Sequence, residues 1–248
     1  MSDYFTSYLR PPAVALDRAL SLRPTLYIGL GGFGCTVLRR VKTVIAAGLP
    51  NEIGGFAFLG LDTYPQPLHD ELTSNEYVPL SVGVDPNEVA KTQSKFLGWF
   101  RELAGNFKAR NIVSGADATK AIGRLAFRQV ATLQDFLGKL DHAYDQLNRF
   151  RDRFASGKPP KVYVVSTLAG GTGAGCLVDV LAITGRFFRH NLGADFPYHA
   201  VLATPDVLRG EVPHEHIPSL FANTYASLKE LHYFPGDTLR VDYDDGRY

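Results

Sequence analysis

The chain has 248 residues, of which 45% are hydrophobic and 21% charged, a composition typical of a globular domain. The 26 basic and 25 acidic residues leave a net charge of +1, which gives no electrostatic reason to expect a nucleic acid or a membrane surface as partner. Two cysteines argue against a disulfide scaffold, and the sequence contains neither an export signal nor an apolar run of about 18 residues, so we expect a cytoplasmic protein without a membrane span.

The first regular element follows a polar extension of 23 residues. Residues 25–30 predict a strand that runs directly into Gly31-Gly-Phe-Gly34, and apolar residues then recur at helical spacing. Gly48 and Pro50 predict the end of that helix. The turn from Gly29 to Gly34 also fits G-x-G-x-x-G, the pattern that binds the pyrophosphate of NAD and FAD, which is weak evidence when it stands alone.

A second strand is predicted over residues 55–61, and Asp62 and Thr63 come directly after it. In a dinucleotide-binding fold, an acidic residue at this place contacts the ribose hydroxyls. The alternative is a carboxylate that caps the turn before Pro65 and Pro67. Further along the chain, residues 86–107 predict a helix with Asp85 as its N-cap. Residues 125–150 predict one long amphipathic helix.

The most informative stretch is Ser166-Thr-Leu-Ala-Gly-Gly-Thr-Gly-Ala-Gly-Cys176, which lies between a predicted strand at 161–166 and a predicted helix. Its four glycines allow the backbone to fold tightly and to bring its amides close to a bound group. The start of the helix directs free N–H groups and a positive dipole to the same place. This combination predicts an anion site, with a flexible loop as the alternative.

Residues 198–204 predict the next strand, so strand–helix–strand units repeat along the chain. The predicted fold class is α/β, a three-layer, Rossmann-like parallel sheet with helices on both faces. In such sheets ligands bind at the carboxyl ends of the strands, where the glycine-rich turns fall. We therefore expect those turns to converge on one rim of the sheet.

The segment after that strand contains two histidines that we consider as metal ligands. His214 and His216 could form a metal pair, but two histidines without a third ligand nearby are more typical of a polar surface. The last part of the chain predicts an amphipathic helix over residues 217–231 and then a hairpin turn at Asp245-Gly246.

The order Ala169-Gly-Gly-Thr-Gly-Ala-Gly175 resembles the signature of the tubulin/FtsZ superfamily, [SAG]-G-G-T-G-[SAT]-G, at all seven positions. The resemblance covers about residues 24–235 and implies the GTPase-domain fold of a prokaryotic tubulin-like protein. It implies that this loop wraps the nucleotide phosphates, with Thr172 suited to donate to a phosphate oxygen or to position a metal-bound water. The implied contacts are Gly170, Gly171, Thr172, Gly173, Ala174 and Gly175.

The first turn is similar to the FtsZ loop G-x-G-G-G-G-N-N, and the resemblance implies phosphate contacts for Gly31, Gly32, Gly34 and Cys35. Phe33, Cys35 and Thr36 depart from that pattern, and Cys35 is as readily a small buried hydrophobe as a contact. Asp62 and Thr63 match a family segment that approaches the phosphates and the metal, so the ribose and phosphate hypotheses compete for the same carboxylate.

Residues 114–127 are similar to the FtsZ segment G-A-G-x-x-P-x-x-G-R-x-A, whose backbone senses the terminal phosphate. The resemblance implies such contacts for Gly115 and Ala116, with Gly123 and Arg124 in matching places. Asp117 replaces a glycine, and its carboxylate would repel phosphate unless it turns outward or helps to hold a cation. Arg209 and Glu211 occupy the place of the family's ribose-facing loop, and Asn223, on the following helix, is a further candidate contact.

The resemblance implies a protein that binds GTP or GDP with Mg²⁺ and that assembles into filaments with copies of itself or homologous subunits. We expect residues 1–23 to be an N-terminal extension and residues 24–248 to be a nucleotide-binding domain that stops before the family's central helix and second domain. Hydrolysis would then need an acidic residue from outside this chain, so whether the chain is a GTPase by itself stays open.

Two other functions remain. One is an NAD(P)-binding module of Rossmann type that uses Gly29, Gly31, Gly34 and Asp62, which leaves the glycine stretch at 170–175 unexplained. The other is a nucleotide-sensing scaffold that binds GTP and recruits protein partners without turnover.

Overall fold

The computed structural model describes residues 22–64, 71–80, 116, 119–151, 159–192, 196 and 198–233. Within these ranges the chain forms five strands: β1 Thr25–Leu30, β2 Phe56–Asp62, β3 Tyr77–Pro79, β4 Lys161–Thr167 and β5 Tyr198–Ala203. It also forms five α-helices: α1 Gly31–Gly48, α2 Lys120–Phe127, α3 Val130–Arg151, α4 Gly171–Leu192 and α5 Ile217–Tyr233. Short 3₁₀ turns lie at Ile53–Gly55, Ser74–Glu76, Pro205–Leu208 and His214–His216.

The strands form one parallel sheet in the order β3-β2-β1-β4-β5. The chain therefore moves from β1 through α1 to β2 on one side, and from β4 through α4 to β5 on the other. Right-handed crossovers in opposite directions place their helices on opposite faces of the sheet. The point between β1 and β4 is the topological switch point, where a crevice opens at the carboxyl ends of the strands.

Side chains alternate across the sheet and so build a separate core on each face. Ile28, Leu59 and Val164 stand in register on one face and belong to the larger core, together with buried side chains of α2, α3 and α4. On the other face, Tyr27 packs beside Phe58 in a smaller core that α1 covers. The prediction of a parallel sheet with helices on both faces is confirmed.

The strands predicted at 25–30, 55–61, 161–166 and 198–204 are confirmed to within a residue at each end. The prediction of one long helix over 125–150 is wrong, because α2 ends at Phe127 and α3 begins at Val130. Val130, the first residue of α3, is exposed. The break lets α2 pack on α4 while α3 packs on the sheet, which one straight helix could not do.

The predicted helix at 86–107 and the hairpin turn at 245–246 lie outside the described residues. Strand β3 was not predicted. Among the residues that the structure describes, no helix is both long enough and apolar enough to cross a membrane.

Candidate functional site

The turns after β1 and β4 meet at the switch point of the sheet. We call residues 29–34 the first glycine loop and residues 168–175 the second glycine loop. Gly31 has a φ of +69°, and a Cβ added there would lie 2.9 Å from the backbone nitrogen of Gly173. A Cβ added at Gly173 would lie 2.8 Å from the carbonyl oxygen of Leu30. The two loops therefore touch through their backbones, and a side chain at either position would separate them.

Each glycine loop includes the first turn of a helix, α1 from Gly31 and α4 from Gly171, so two helix starts face the same crevice. The first amides of α1 and α4 have no carbonyl partner within their own helix, and these ends carry the positive pole of the helix dipole. Leu30, the N-cap residue of α1, makes no side-chain capping hydrogen bond, and neither helix has an acidic residue in its first turn. Two such ends in contact favour an anion between them.

A cluster of polar side chains from β2 and α4 lies beside the two loops. The hydroxyl oxygens of Thr63 and Thr172 are 2.6 Å apart, and the Thr63 backbone N–H donates to the Asp62 carboxylate at 2.8 Å. A Cβ added at Gly32 would lie 3.7 Å from the other carboxylate oxygen of Asp62. The structure thus brings Asp62, Thr63 and Thr172 together with the first glycine loop.

Burial raises the pKa of the Asp62 carboxyl, while hydrogen bonds from the Thr63 and Tyr64 amides and from the Thr172 and Thr63 hydroxyls work in the opposite direction. No basic side chain of the described residues forms an ion pair with Asp62. A buried carboxylate that has no cationic partner in the described part of the chain, next to two hydroxyl oxygens, is a donor set that suits a hard cation such as Mg²⁺. These residues therefore fit the implied metal.

The two cysteines lie beneath the glycine loops as buried side chains. The Cys35 thiol points to the carbonyl oxygens of Gly29 at 3.6 Å and Leu61 at 3.7 Å, and the Cys176 thiol lies 3.1 Å from the Thr172 carbonyl oxygen. Burial raises the pKa of both thiols, so both stay protonated at neutral pH. The geometry favours the small-hydrophobe interpretation of the Cys35 side chain.

Helix α2 lies directly against the second glycine loop. A Cβ added at Gly123 would collide with the Gly171 carbonyl group and lie 2.7 Å from the Thr172 Cα, and one added at Gly175 would lie 2.5 Å from the Lys120 carbonyl oxygen. Ala116 is buried just before this helix, and its carbonyl accepts from the Thr119 N–H at 2.8 Å. Gly115 and Asp117 lie outside the described residues.

Helix α5 supplies two side chains that bind the second glycine loop. Asn223 Nδ2 donates to the Ala169 carbonyl oxygen at 2.8 Å, and Ser227 Oγ donates to the Leu168 carbonyl oxygen at 3.2 Å. The sequence predicted Asn223 as a nucleotide contact, which stays a prediction, and it did not single out Ser227. A hydroxyl four residues after Asn223, and therefore on the same face of the helix, was the available signal.

The segment after β5 contributes less to this site. Arg209 is exposed and lies 3.9 Å from Asp206 in its own turn, and Glu211 is also exposed. His216 lies beside Glu215, and within the described part of the chain no three His, Cys, Asp or Glu side chains are grouped to hold a metal. The hydrogen bonds and ion pairs of Arg209 and Glu211 among the described residues stay within their own segment and do not reach the two glycine loops.

Comparison with known proteins places these features in a family. The family model described as "Tubulin like" matches residues 26–248. A search of curated proteins found no match. Among solved structures, CetZ from Methanosaeta thermophila strain DSM 6194 is 14% identical over 87% of this chain and 44% of its own, with a TM-score of 0.50.

Two other solved structures are similar at lower TM-scores. The GDP-bound monomer of CetZ1 from Haloferax volcanii is 15% identical over 83% of this chain and 47% of its own, with a TM-score of 0.43. A GTPγS-form protofilament of TubZ from Bacillus thuringiensis serovar israelensis is 13% identical over 86% and 44%, with a TM-score of 0.36. The chain thus spans less than half the length of these structures.

The family match extends over nearly the whole chain, and the sheet order and the glycine loops agree with a tubulin/FtsZ-type fold. The chain belongs to the tubulin-like family.

Proposed function

We propose that the chain binds the phosphates of GTP and GDP in the crevice between β1 and β4. The observation that carries this proposal is the backbone contact of two helix starts, at Gly31 and Gly173, with no acidic side chain in the first turn of either helix. Backbone amides at two helix starts can donate to several oxygens of a polyphosphate at once. The preference for guanine rests on membership of the tubulin-like family.

We further propose Mg²⁺ as the counter-ion, held near Asp62 and the hydroxyls of Thr63 and Thr172. Bound there, the ion neutralises phosphate charge. The chain's own contribution is a carboxylate that the protein keeps out of water and orients with the Thr63 amide. Without a cation, that carboxylate would repel the phosphates that the loop amides attract.

We also propose that the protein of which this chain is the nucleotide-binding part assembles into filaments when GTP is bound. Hydrolysis in such an assembly would use a water activated by a carboxylate from a neighbouring subunit. Gly115 and Ala116 are proposed contacts of the terminal phosphate, since Ala116 precedes a helix that lies against the second glycine loop. Light scattering with GTP, with GDP and without nucleotide tests the assembly step.

The sharpest test of nucleotide binding is Gly32→Ala. A Cβ at Gly173 would press on Leu30 and Ser166, so substitution there would disturb the fold as well as the site. A Cβ at Gly32 has Asp62 at 3.7 Å as its nearest neighbour and points into the crevice beside that carboxylate. We expect Gly32→Ala to keep or slightly raise the thermal stability, since alanine favours a helix by about 0.5–1 kcal/mol, and to weaken GTP binding at least about tenfold.

The matched control is Gly48→Ala at the other end of α1, where an added Cβ meets no atom within 4 Å. This variant should bind GTP like the wild type. Titrations of GTP, GDP, ATP and NAD on the wild type and both variants, by calorimetry, provide the measurement. Equal GTP affinity in wild type and Gly32→Ala would overturn the assignment of the crevice, and selective binding of NAD would favour the dinucleotide-binding alternative.

A further inference from the structure

One face of α5 carries three polar side chains that bind neighbouring elements. Asn223, Ser227 and Glu230 are spaced by four and three residues and so share a face of the helix. Asn223 donates to the Ala169 carbonyl oxygen, as described above. Lys120, the first residue of α2, donates to Ser227 Oγ at 2.8 Å and pairs with Glu230 at 2.7 Å.

Ser227 is the side chain that joins the two elements. Its hydroxyl donates its proton to the Leu168 carbonyl oxygen and accepts a proton from the Lys120 ammonium group, so one oxygen bonds both the second glycine loop and α2. The residue is fully buried. Removal of such a hydroxyl leaves a buried carbonyl without its donor and a largely buried ammonium with one fewer acceptor, which costs more than the loss of an exposed hydrogen bond.

The backbone packing of α2 transmits this contact to the residues that face the crevice. Gly123 of α2 touches Gly171 and Thr172, and Gly175 of the loop touches Lys120. Leu168 and Ala169, the two residues whose carbonyls accept from α5, directly precede Gly170 and the first turn of α4. A shift of Leu168 would therefore rotate the peptide groups that follow it.

We propose that Ser227 is a positioning residue that holds the second glycine loop and the start of α2 in one fixed arrangement through the chain Lys120–Ser227–Leu168. The inference rests on the proposed function for its effect on GTP, because Ser227 acts on the nucleotide through the loop and not by contact. It makes α5 a support for the phosphate site. It also fixes the distance between the loop and the segment at Ala116, which precedes α2.

The test is Ser227→Ala, measured in two ways. Hydrogen exchange of the unliganded protein should speed up at residues 168–173 and in the first turn of α2, and should stay unchanged in α3 and in β2. GTP affinity should fall by about three- to tenfold, the effect of one or two lost buried hydrogen bonds. A general loss of stability would instead raise exchange in all elements together.

Thr224→Val is the matched control, because the Thr224 hydroxyl is on the same helix and donates only within it, to the Leu220 carbonyl oxygen at 2.8 Å. It should leave both the exchange at 168–173 and the GTP affinity unchanged. Lys120→Met removes the Lys120–Ser227 half of the chain together with the ion pair to Glu230, and it should reproduce the faster exchange in the first turn of α2. Wild-type exchange at 168–173 in Ser227→Ala overturns the inference.

The two proposals fail in different ways. If the wild-type chain does not bind GTP, the proposed function fails, while the exchange of the unliganded variants still decides whether Ser227 positions the loop. If GTP binds and Ser227→Ala differs from Thr224→Val in neither measurement, the positioning role fails and the proposed function stands.

Discussion

At the scale of single residues, Asp62 gives the phosphate crevice a dependence on pH. Its pKa is raised above the ordinary 3.8 mainly because the carboxyl group is buried at the end of β2. The native state then holds its proton more tightly than the unfolded chain does. The resulting stabilisation is fully present below pH 3.8 and is lost as the pH rises through the native pKa, so at neutral pH the ionised carboxylate opposes folding.

We expect Asp62→Asn to remove this cost. The unliganded variant should be more stable than the wild type at pH 7, by a few degrees in the thermal midpoint, and the difference should shrink toward pH 4. Thermal unfolding between pH 4 and pH 8 without nucleotide is the measurement. The control is Asp206→Asn, which replaces an exposed carboxylate just after β5. It should change the thermal midpoint neither at pH 4 nor at pH 7. A less stable Asp62→Asn protein at pH 7 would contradict this account.

At the scale of elements, α2 is attached to α4 through a buried carboxylate. Asp179 of α4 is fully buried and accepts from Arg124 Nε at 3.0 Å and Arg124 Nη2 at 3.2 Å. Arg128 Nη2 donates to the same carboxylate at 3.4 Å, and Arg128 Nε lies 3.3 Å from it. The pairing brings the last turn of α2 onto α4 beside the second glycine loop.

We expect Asp179→Asn to destabilise the protein by about 3 kcal/mol, because it removes a fully buried anion from two largely buried guanidinium groups. The free energy of unfolding from urea denaturation is the measurement. Thr184→Val on the same helix is the control, since the Thr184 hydroxyl is buried without a hydrogen-bond partner among the described residues. This control should be neutral or stabilising by up to about 1 kcal/mol. Equal unfolding free energies for wild type and Asp179→Asn would show that the pair does not hold α2 in place.

The elements that could be predicted from the sequence are those with an unambiguous period. Strands β1, β2 and β4 are runs of apolar residues bounded by glycine or proline, and such runs predict strands that are buried on both faces. Strand β3 has only three residues and ends in Pro79, which is too short for a pattern. The break between α2 and α3 was hidden because apolar residues continue at helical spacing across it.

In the candidate site, too, the parts with a clear sequence pattern could be predicted and the parts formed by tertiary packing could not. The glycine loops could be placed because parallel strands end on one rim, and the backbone contact between Gly31 and Gly173 agrees with that expectation. The polar supports could not be placed, because Ser227 and Lys120 are 107 residues apart and meet only through tertiary packing. Asp179 was a missed signal, since an acidic residue inside an apolar helix stretch commonly has a buried cationic partner.

At the scale of the whole molecule, nucleotide binding should appear as added stability. Mg²⁺ and GTP at about 100 times the dissociation constant should stabilise the chain by about 2.7 kcal/mol and raise its thermal midpoint by roughly 5–10 °C. Chelation of Mg²⁺ by EDTA should remove much of this shift, because Asp62 then faces the phosphates without a counter-ion. Differential scanning fluorimetry with GTP, ATP and EDTA is the measurement. An equal shift with GTP and with ATP would contradict guanine selectivity.

The backbone contact between Gly31 and Gly173 has a consequence for how such a protein can diversify. A contact between two glycines has no side chain that substitution could make larger or smaller. Ligand affinity therefore cannot be changed in small steps at these two positions. Changes in ligand affinity have to come from the residues around the contact, such as Asn223 and Ser227, where a substitution alters the size and polarity of the side chain. We therefore expect less sequence variation among related proteins in the two glycine loops than in α5, the helix that supports the second loop.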